Sequence, residues 1–107
     1  MKNEQEGLTV NAKITDCGLY LMPHYNSWIV KVIVELPGGG CILTIPEEEL
    51  INFARLFQDD MNIEDGVFFH NFIGRYIRVT FENGKAVAIY DPLDRECVVL
   101  NKESNNG

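Results

Sequence analysis

Nine consecutive residues, Trp28-Ile29-Val30-Lys31-Val32-Ile33-Val34-Glu35-Leu36, constrain this chain more than any other feature. Trp28, Val30, Val32, Val34 and Leu36 fall on one face, and Ile29, Lys31, Ile33 and Glu35 on the other. Period two among β-branched residues predicts a strand with one face toward a core, Trp28 included. Pro37-Gly38-Gly39-Gly40 then supplies a reversal, and residues 41–45 read as the returning strand. No Lys-Ser/Thr follows the glycines and no helix opens there, so the run reads as a hairpin turn, not a phosphate loop.

The same period appears upstream. Leu8, Val10, Ala12 and Ile14 alternate with Thr9, Asn11, Lys13 and Thr15. Asp16-Cys17-Gly18 interrupts the pattern and Leu19-Tyr20-Leu21-Met22 resumes it, giving one long bent strand or two short ones, since a glycine inside a strand marks a bulge or bend. Residues 23–27 read as a loop. Downstream, Asn83-Gly84 joins two extended runs, 75–82 and 85–90, as a two-residue type I′ hairpin. Glu82 then faces Lys85, and Ile77, Val79 and Phe81 face Ala86, Ala88 and Tyr90. That register leaves Val87 and Ile89 on an otherwise polar face, either under another element or at a dimer surface. Asp91-Pro92 stops the strand, and residues 93–100 add an extended or short helical piece.

Between the hairpins lies one helical pattern. Thr44, Pro46 and Glu47 suit a capping box with proline in the first turn, and Glu47, Glu48 and Glu49 complement the helix dipole there. Leu50, Phe53, Ala54 and Phe57 follow as an apolar stripe, with Ile51 and Leu56 beside it. Residues 67–73 form a short helix or an apolar plug, ended by Gly74, and His70 within them reads as a packed structural histidine.

The element order resembles the OB-fold. The expected fold is β-rich α+β: a five-stranded OB-like antiparallel barrel over residues 8–100, with one helix between strands 3 and 4. An SH3-like barrel or an open sheet packed by one helix gives the same string. Residues 1–7 and 101–107 are expected to be disordered.

Sixteen Asp+Glu against nine Lys+Arg give a net charge of −7, which disfavours phosphate backbones and anionic membranes and favours basic protein surfaces as partners. The same charge also serves solubility alone. No apolar run reaches the ~18 residues of a membrane span, and the polar start shows no signal-peptide core. Cys17, Cys41 and Cys97 are odd in number and form no CxxC, which fits buried or half-buried thiols in a reducing cytoplasm and neither a disulfide framework nor a zinc site.

No nucleophile elbow, zincin helix or dinucleotide fingerprint is present, and His24 and His70 are isolated in sequence. The expectation is a protein without enzyme activity, cofactor or metal. Two binding readings compete. One is a small acidic module that docks on another protein. The other is a single-strand nucleic-acid platform in which Tyr20, His24 and Tyr25 stack on bases beside Lys13 and Lys31. Tyr76 and Arg78 share a hairpin face that suits a carboxylate or phosphate. A homodimer is an open alternative.

The run Ile73-Gly74-Arg75-Tyr76-Ile77-Arg78-Val79, followed by Ala88-Ile89-Tyr90-Asp91-Pro92-Leu93-Asp94, resembles the C-terminal part of small uncharacterised proteins of phages and bacterial mobile elements. Those proteins pair a strand-rich half and an amphipathic helix with a G-R/K-x-x-R-V hairpin. Arg95-Glu96-Cys97 stands here where they carry an aromatic. The resemblance implies a cytoplasmic protein of a bacterial or phage-infected cell, in one form an inhibitor of a nucleic-acid-binding host defence enzyme. It implies no catalytic residue.

Overall fold

One strand runs through the whole sheet as its spine: β1 (Leu8–Met22), fifteen residues long. The computed structural model describes residues 8–93 and 97–100. The first part of β1 pairs with β4 (Tyr76–Glu82) and the second with β2 (Ser27–Leu36), changing partners at Lys13, which faces Glu35 on one side and Tyr76 on the other. β3 (Gly39–Ile45) continues from β2, and β5 (Lys85–Tyr90) and β6 (Cys97–Val99) continue from β4. The result is one antiparallel sheet in the order β3-β2-β1-β4-β5-β6.

The β-rich α+β class is therefore right, and the closed five-stranded barrel is corrected. Closure would need β3 to pair with β5. Instead β5 spends its second edge on β6, a strand the sequence left undecided, and Leu100 N–H donates to the Val87 carbonyl at 2.9 Å beyond it. Between β3 and the β4–β5 hairpin lies a gap lined by Cys41, Leu43, Phe81, Lys85 and Leu100.

Two bulges decide which side chains reach the core. The β1–β2 register slips between Ile14 and Asp16, so Thr15 is the extra residue, and its hydroxyl donates to the Ile33 carbonyl at 3.1 Å. Without the slip, the alternation that buries Ala12 and Ile14 would bury Asp16. With it, Cys17 turns inward opposite Val32. The second slip lies between Thr80 and Phe81, where Val87 is the extra residue of β5. Glu82 faces Lys85 and Phe81 faces Ala86, as the two-residue turn requires, with Asn83 and Gly84 both at positive φ. Past the bulge the expected register is wrong by one. Thr80 faces Ala88, Val79 faces Ile89 and Arg78 faces Tyr90, so Ile89 is core and Tyr90 is on the outer face.

The helical region also differs in detail. Residues 44 and 45 finish β3, so Thr44 caps nothing. A 3-10 turn, Glu47–Glu49, starts from Pro46 and leads into α1 (Leu50–Arg55). Phe53, Leu56 and Phe57 are buried against the inner face of the sheet, and Phe72 joins them from a second 3-10 turn, Phe69–Phe72. The Phe53, Phe57 and Phe72 rings meet at centroid distances of 4.9–5.4 Å in tilted and edge-on geometry. Leu56 thus belongs to the core, while Ile51 beside it stays exposed. Gly74, at φ +91°, turns the chain back so that its N–H donates to the Ile14 carbonyl at 2.7 Å.

Further expectations are corrected by burial. Trp28 is 39% exposed, because β2 enters the sheet proper only at Val30, its first residue paired with β3. His70 is exposed and not packed inside. Cys97 is exposed, while Cys17 is buried and Cys41 half-buried, and all three thiols are free. The expected disorder at 1–7 and 101–107 lies outside the described residues. Among the described residues no helix is long and apolar enough to cross a membrane.

Candidate functional site

β1 and β2 outrun the rest of the sheet. Residues 20–22 and 27–29 pair only with each other and close through a 3-10 turn, Pro23–Tyr25, followed by Asn26 at positive φ. This two-stranded arm continues both faces of the sheet beyond the core. On the core-side face Leu19, Leu21 and Trp28 are exposed, with Leu21 directly opposite Trp28, and Tyr25 stands at the tip, 78% exposed. A free-standing two-stranded ribbon is at best marginal in water. This one hangs from a sheet that anchors both its strands.

The outer face carries most of the residues singled out in the sequence, in three groups. Lys13, Tyr76 and Arg78 lie together at the middle of the sheet. Lys13 sits between Glu35 and Tyr76, and Arg78 between Asn11 and Tyr90. Tyr20 and Lys31 form the second group at the base of the arm, the ammonium 3.9 Å from the ring centroid in a cation–π contact. His24 and Tyr25 form the third, on the turn. The six or so residues of β1 between Lys13 and Tyr20 put roughly 20 Å between the first two groups. The seven residues therefore do not converge on one ligand.

Charge on the outer face is mixed. By strand alternation Lys13, Lys31, Arg78 and Lys85 share it with Asp16, Glu35 and Glu82. That is not the cationic track that follows a nucleic-acid backbone. Ile33 and Ile42, opposite each other on β2 and β3, add exposed apolar area to the same face.

The sequence reading missed a second apolar surface. A groove of about 660 Å³ runs between α1 and residues 63–72, lined by Leu50, Ile51, Ala54, Val67, Phe68 and Phe69 among others. Phe68 is 72% exposed, and the His70 ring stacks on it with centroids 5.4 Å apart and planes 12° from parallel. Asn71 fixes this turn: its side-chain oxygen accepts from the Phe68 amide at 2.8 Å, and its own amide donates to the Phe68 carbonyl at 2.9 Å. The signal was present in the sequence as Val67-Phe68-Phe69, but an apolar run with no clear period shows neither which ring goes inside nor which stays out.

The reactive inventory is small. Burial, reinforced by the neighbouring Asp16 carboxylate, pushes the Cys17 thiol up to about 11, which makes it a poor nucleophile at neutral pH. Among the described residues no group of three or more His, Cys, Asp and Glu is placed to hold a metal ion. Buried Glu49 accepts from Asn52 at 3.1 Å, and Asn52 in turn accepts from Arg55 at 3.4 Å, which ties the 3-10 turn to α1. Compared with protein-family models, curated proteins and solved structures, the chain finds no match.

Proposed function

We propose that this protein is a non-catalytic binding module that acts by docking on another protein. The observation that carries this reading is the arm. Leu19, Leu21, Trp28 and Tyr25 present apolar area on a ribbon that projects past the core, and contiguous exposed apolar surface usually marks an interaction site. Trp and Tyr are also the side chains that most often supply interface binding energy. The net charge of −7 suits a basic partner surface. A concrete form, which rests on the resemblance to phage and mobile-element proteins, is an inhibitor that occupies the nucleic-acid groove of a host defence enzyme.

A second reading is favoured by the Tyr20–Lys31 contact and by strand order. The run β3-β2-β1-β4-β5, with the helix between β3 and β4, is OB-like apart from closure, and such folds often bind oligonucleotides. Fluorescence anisotropy with labelled single-stranded DNA and RNA separates the two readings. The protein-docking reading expects no binding at low salt. Tight binding that weakens steeply with salt and is lost in Tyr20→Ala would replace it with the oligonucleotide reading. The positive test places a photo-crosslinking amino acid at Tyr25 in the cell that makes the protein. The expected result is a discrete protein adduct that Leu19→Ser/Leu21→Ser removes.

A further inference from the structure

A separate surface identifies the chemistry of a partner more narrowly. The groove beside α1 has a mostly apolar lining, and the segments that form and flank its walls are rich in carboxylates. Residues 47–70 hold seven of the chain's sixteen carboxylates, namely Glu47, Glu48, Glu49, Asp59, Asp60, Glu64 and Asp65, and only one of its nine Lys+Arg, Arg55. All seven except Glu49 are exposed. Glu47 and Glu48 precede α1, Asp59 and Asp60 follow it, and Glu64 and Asp65 belong to the opposite wall, with Glu64 and Arg55 lining the groove itself. Carboxylates therefore flank both walls of an apolar groove in sequence, and Glu64 stands in the lining itself along with Arg55.

We infer that the groove takes an amphipathic helix from a basic protein partner, with apolar side chains entering between Ile51 and Phe68 and Lys or Arg flanks answering the carboxylates on both walls. The geometry fits this mode of recognition. The groove is open along one side and bounded by two short elements, and a helix laid into such a trough presents anchors at i, i+3 or i+4 and i+7. Charges of opposite sign around an apolar centre set the register and speed the encounter. A second copy of this chain would bring the same carboxylates to the interface, and an anionic lipid surface would be repelled. Stacking of His70 on Phe68, with the turn fixed by Asn71, holds the exposed ring before any partner arrives, which lowers the ordering cost of binding. The inference shares with the proposed function only the class of partner, and it uses residues outside the arm.

The test uses the full chain and a labelled helical peptide of roughly 18 residues, about five turns, with leucines on one face and lysines elsewhere. Two comparison peptides complete the set: one of the same composition with its leucines scattered, and one with Glu in place of Lys. Anisotropy is expected to show saturable binding of the first peptide alone, with amide shifts mapped to α1 and residues 63–72. Ile51→Ser/Phe68→Ser changes two exposed side chains and should weaken binding by about tenfold or more, the cost expected of interface anchors. Glu64→Gln should weaken it less and flatten its salt dependence. Leu21→Ser, in the arm, should leave it unchanged, so failure of the arm reading and failure of this one are distinguishable. Equal binding of the scattered or Glu peptide would overturn the inference, as would an unaffected double variant. Self-association of the chain alone, abolished by that variant, would overturn it in favour of a second copy.

Discussion

Ile89 lies directly opposite Val79, both with no exposed surface, because β5 carries one extra residue at Val87. The bulge reverses the alternation between Ala86 and Ile89, and the Val87 carbonyl it turns outward accepts the Leu100 amide. The core contact thus requires that Val87 be set aside from the β4 ladder, and the contact beyond β6 uses the carbonyl of that same residue.

Deleting Val87 should therefore cost less than truncating Ile89, because the chain without the extra residue reaches the same core contact in unbroken alternation. Ile89→Ala is expected to lose about 2–5 kcal/mol from the transfer and cavity terms together. The deletion should fall well below that, since the shortened strand still pairs Thr80 with Ala88 and Val79 with Ile89, and only the carbonyl that accepts from Leu100 is lost. Urea denaturation of the two variants beside the parent gives the comparison. A deletion variant as unstable as Ile89→Ala would mean that Val87 is a paired member of the β4–β5 ladder and not its extra residue.

Trp28 is the chain's single tryptophan, so its emission reports on the arm alone. At 39% exposed it should emit to the red of a buried indole and be quenched readily by acrylamide. Leu21→Ser, directly opposite, should shift that emission while changing global stability by less than about 1 kcal/mol. Phe53→Ala, in the aromatic cluster, should cost about 3–5 kcal/mol. Similar stability losses in both would show that the arm is part of the core.

Cys17 sets a pH dependence with a definite sign. Its folded pKa, about 11, lies above the ordinary 9.0, so the folded state holds the thiol proton where the unfolded state has lost it. Stability from this group is fully present below about pH 9 and is lost as pH rises through 9 toward 11. Other groups titrate in that window, so the measurement is a difference: the parent should lose stability relative to Cys17→Ala between those limits. In the native protein an alkylating reagent should modify Cys97 first and Cys17 last, in keeping with their exposure.

Two glycines predict opposite outcomes for the same substitution. Gly74 holds φ +91° and hands its N–H to Ile14, so Gly74→Ala is strained whatever space surrounds it, and a loss of more than about 1 kcal/mol is expected. Gly18 lies in β1 at an ordinary φ, with nothing within 4 Å of where a Cβ would stand. Gly18→Ala should be neutral or stabilising, since a strand glycine is entropically costly. Thermal melts of the two variants make the check.

What could be read from the sequence follows from which forces are local. Alternation at Trp28 to Leu36 located β2 to within a residue, and Asn83-Gly84 fixed its turn, because strand faces and positive φ are properties of neighbouring residues. The apolar stripe of α1 was equally plain. Which residues finish inside was not. The bulges at Thr15 and Val87 each shift a face by one, and neither residue type announces a bulge. Trp28 continues an apolar face and so reads as core, but burial needs an opposing layer, and the sheet ends before reaching it. The candidate site suffered most. The seven predicted residues are mostly outward-facing, yet the distance along β1 separates them into three groups. The groove at α1 depends on two segments meeting, a contact no single stretch encodes.

β1 carries a consequence for how the molecule assembles. Its second part can find β2 through a tight local turn as soon as both exist, but its first part has its register partners in β4, from Leu8 opposite Phe81 to Lys13 opposite Tyr76. A translating ribosome would thus release the β1–β2–β3 meander long before the other half of that strand is satisfied, and contacts so distant in sequence form slowly. Until Phe81 emerges, the first half of β1 waits with an unzipped edge.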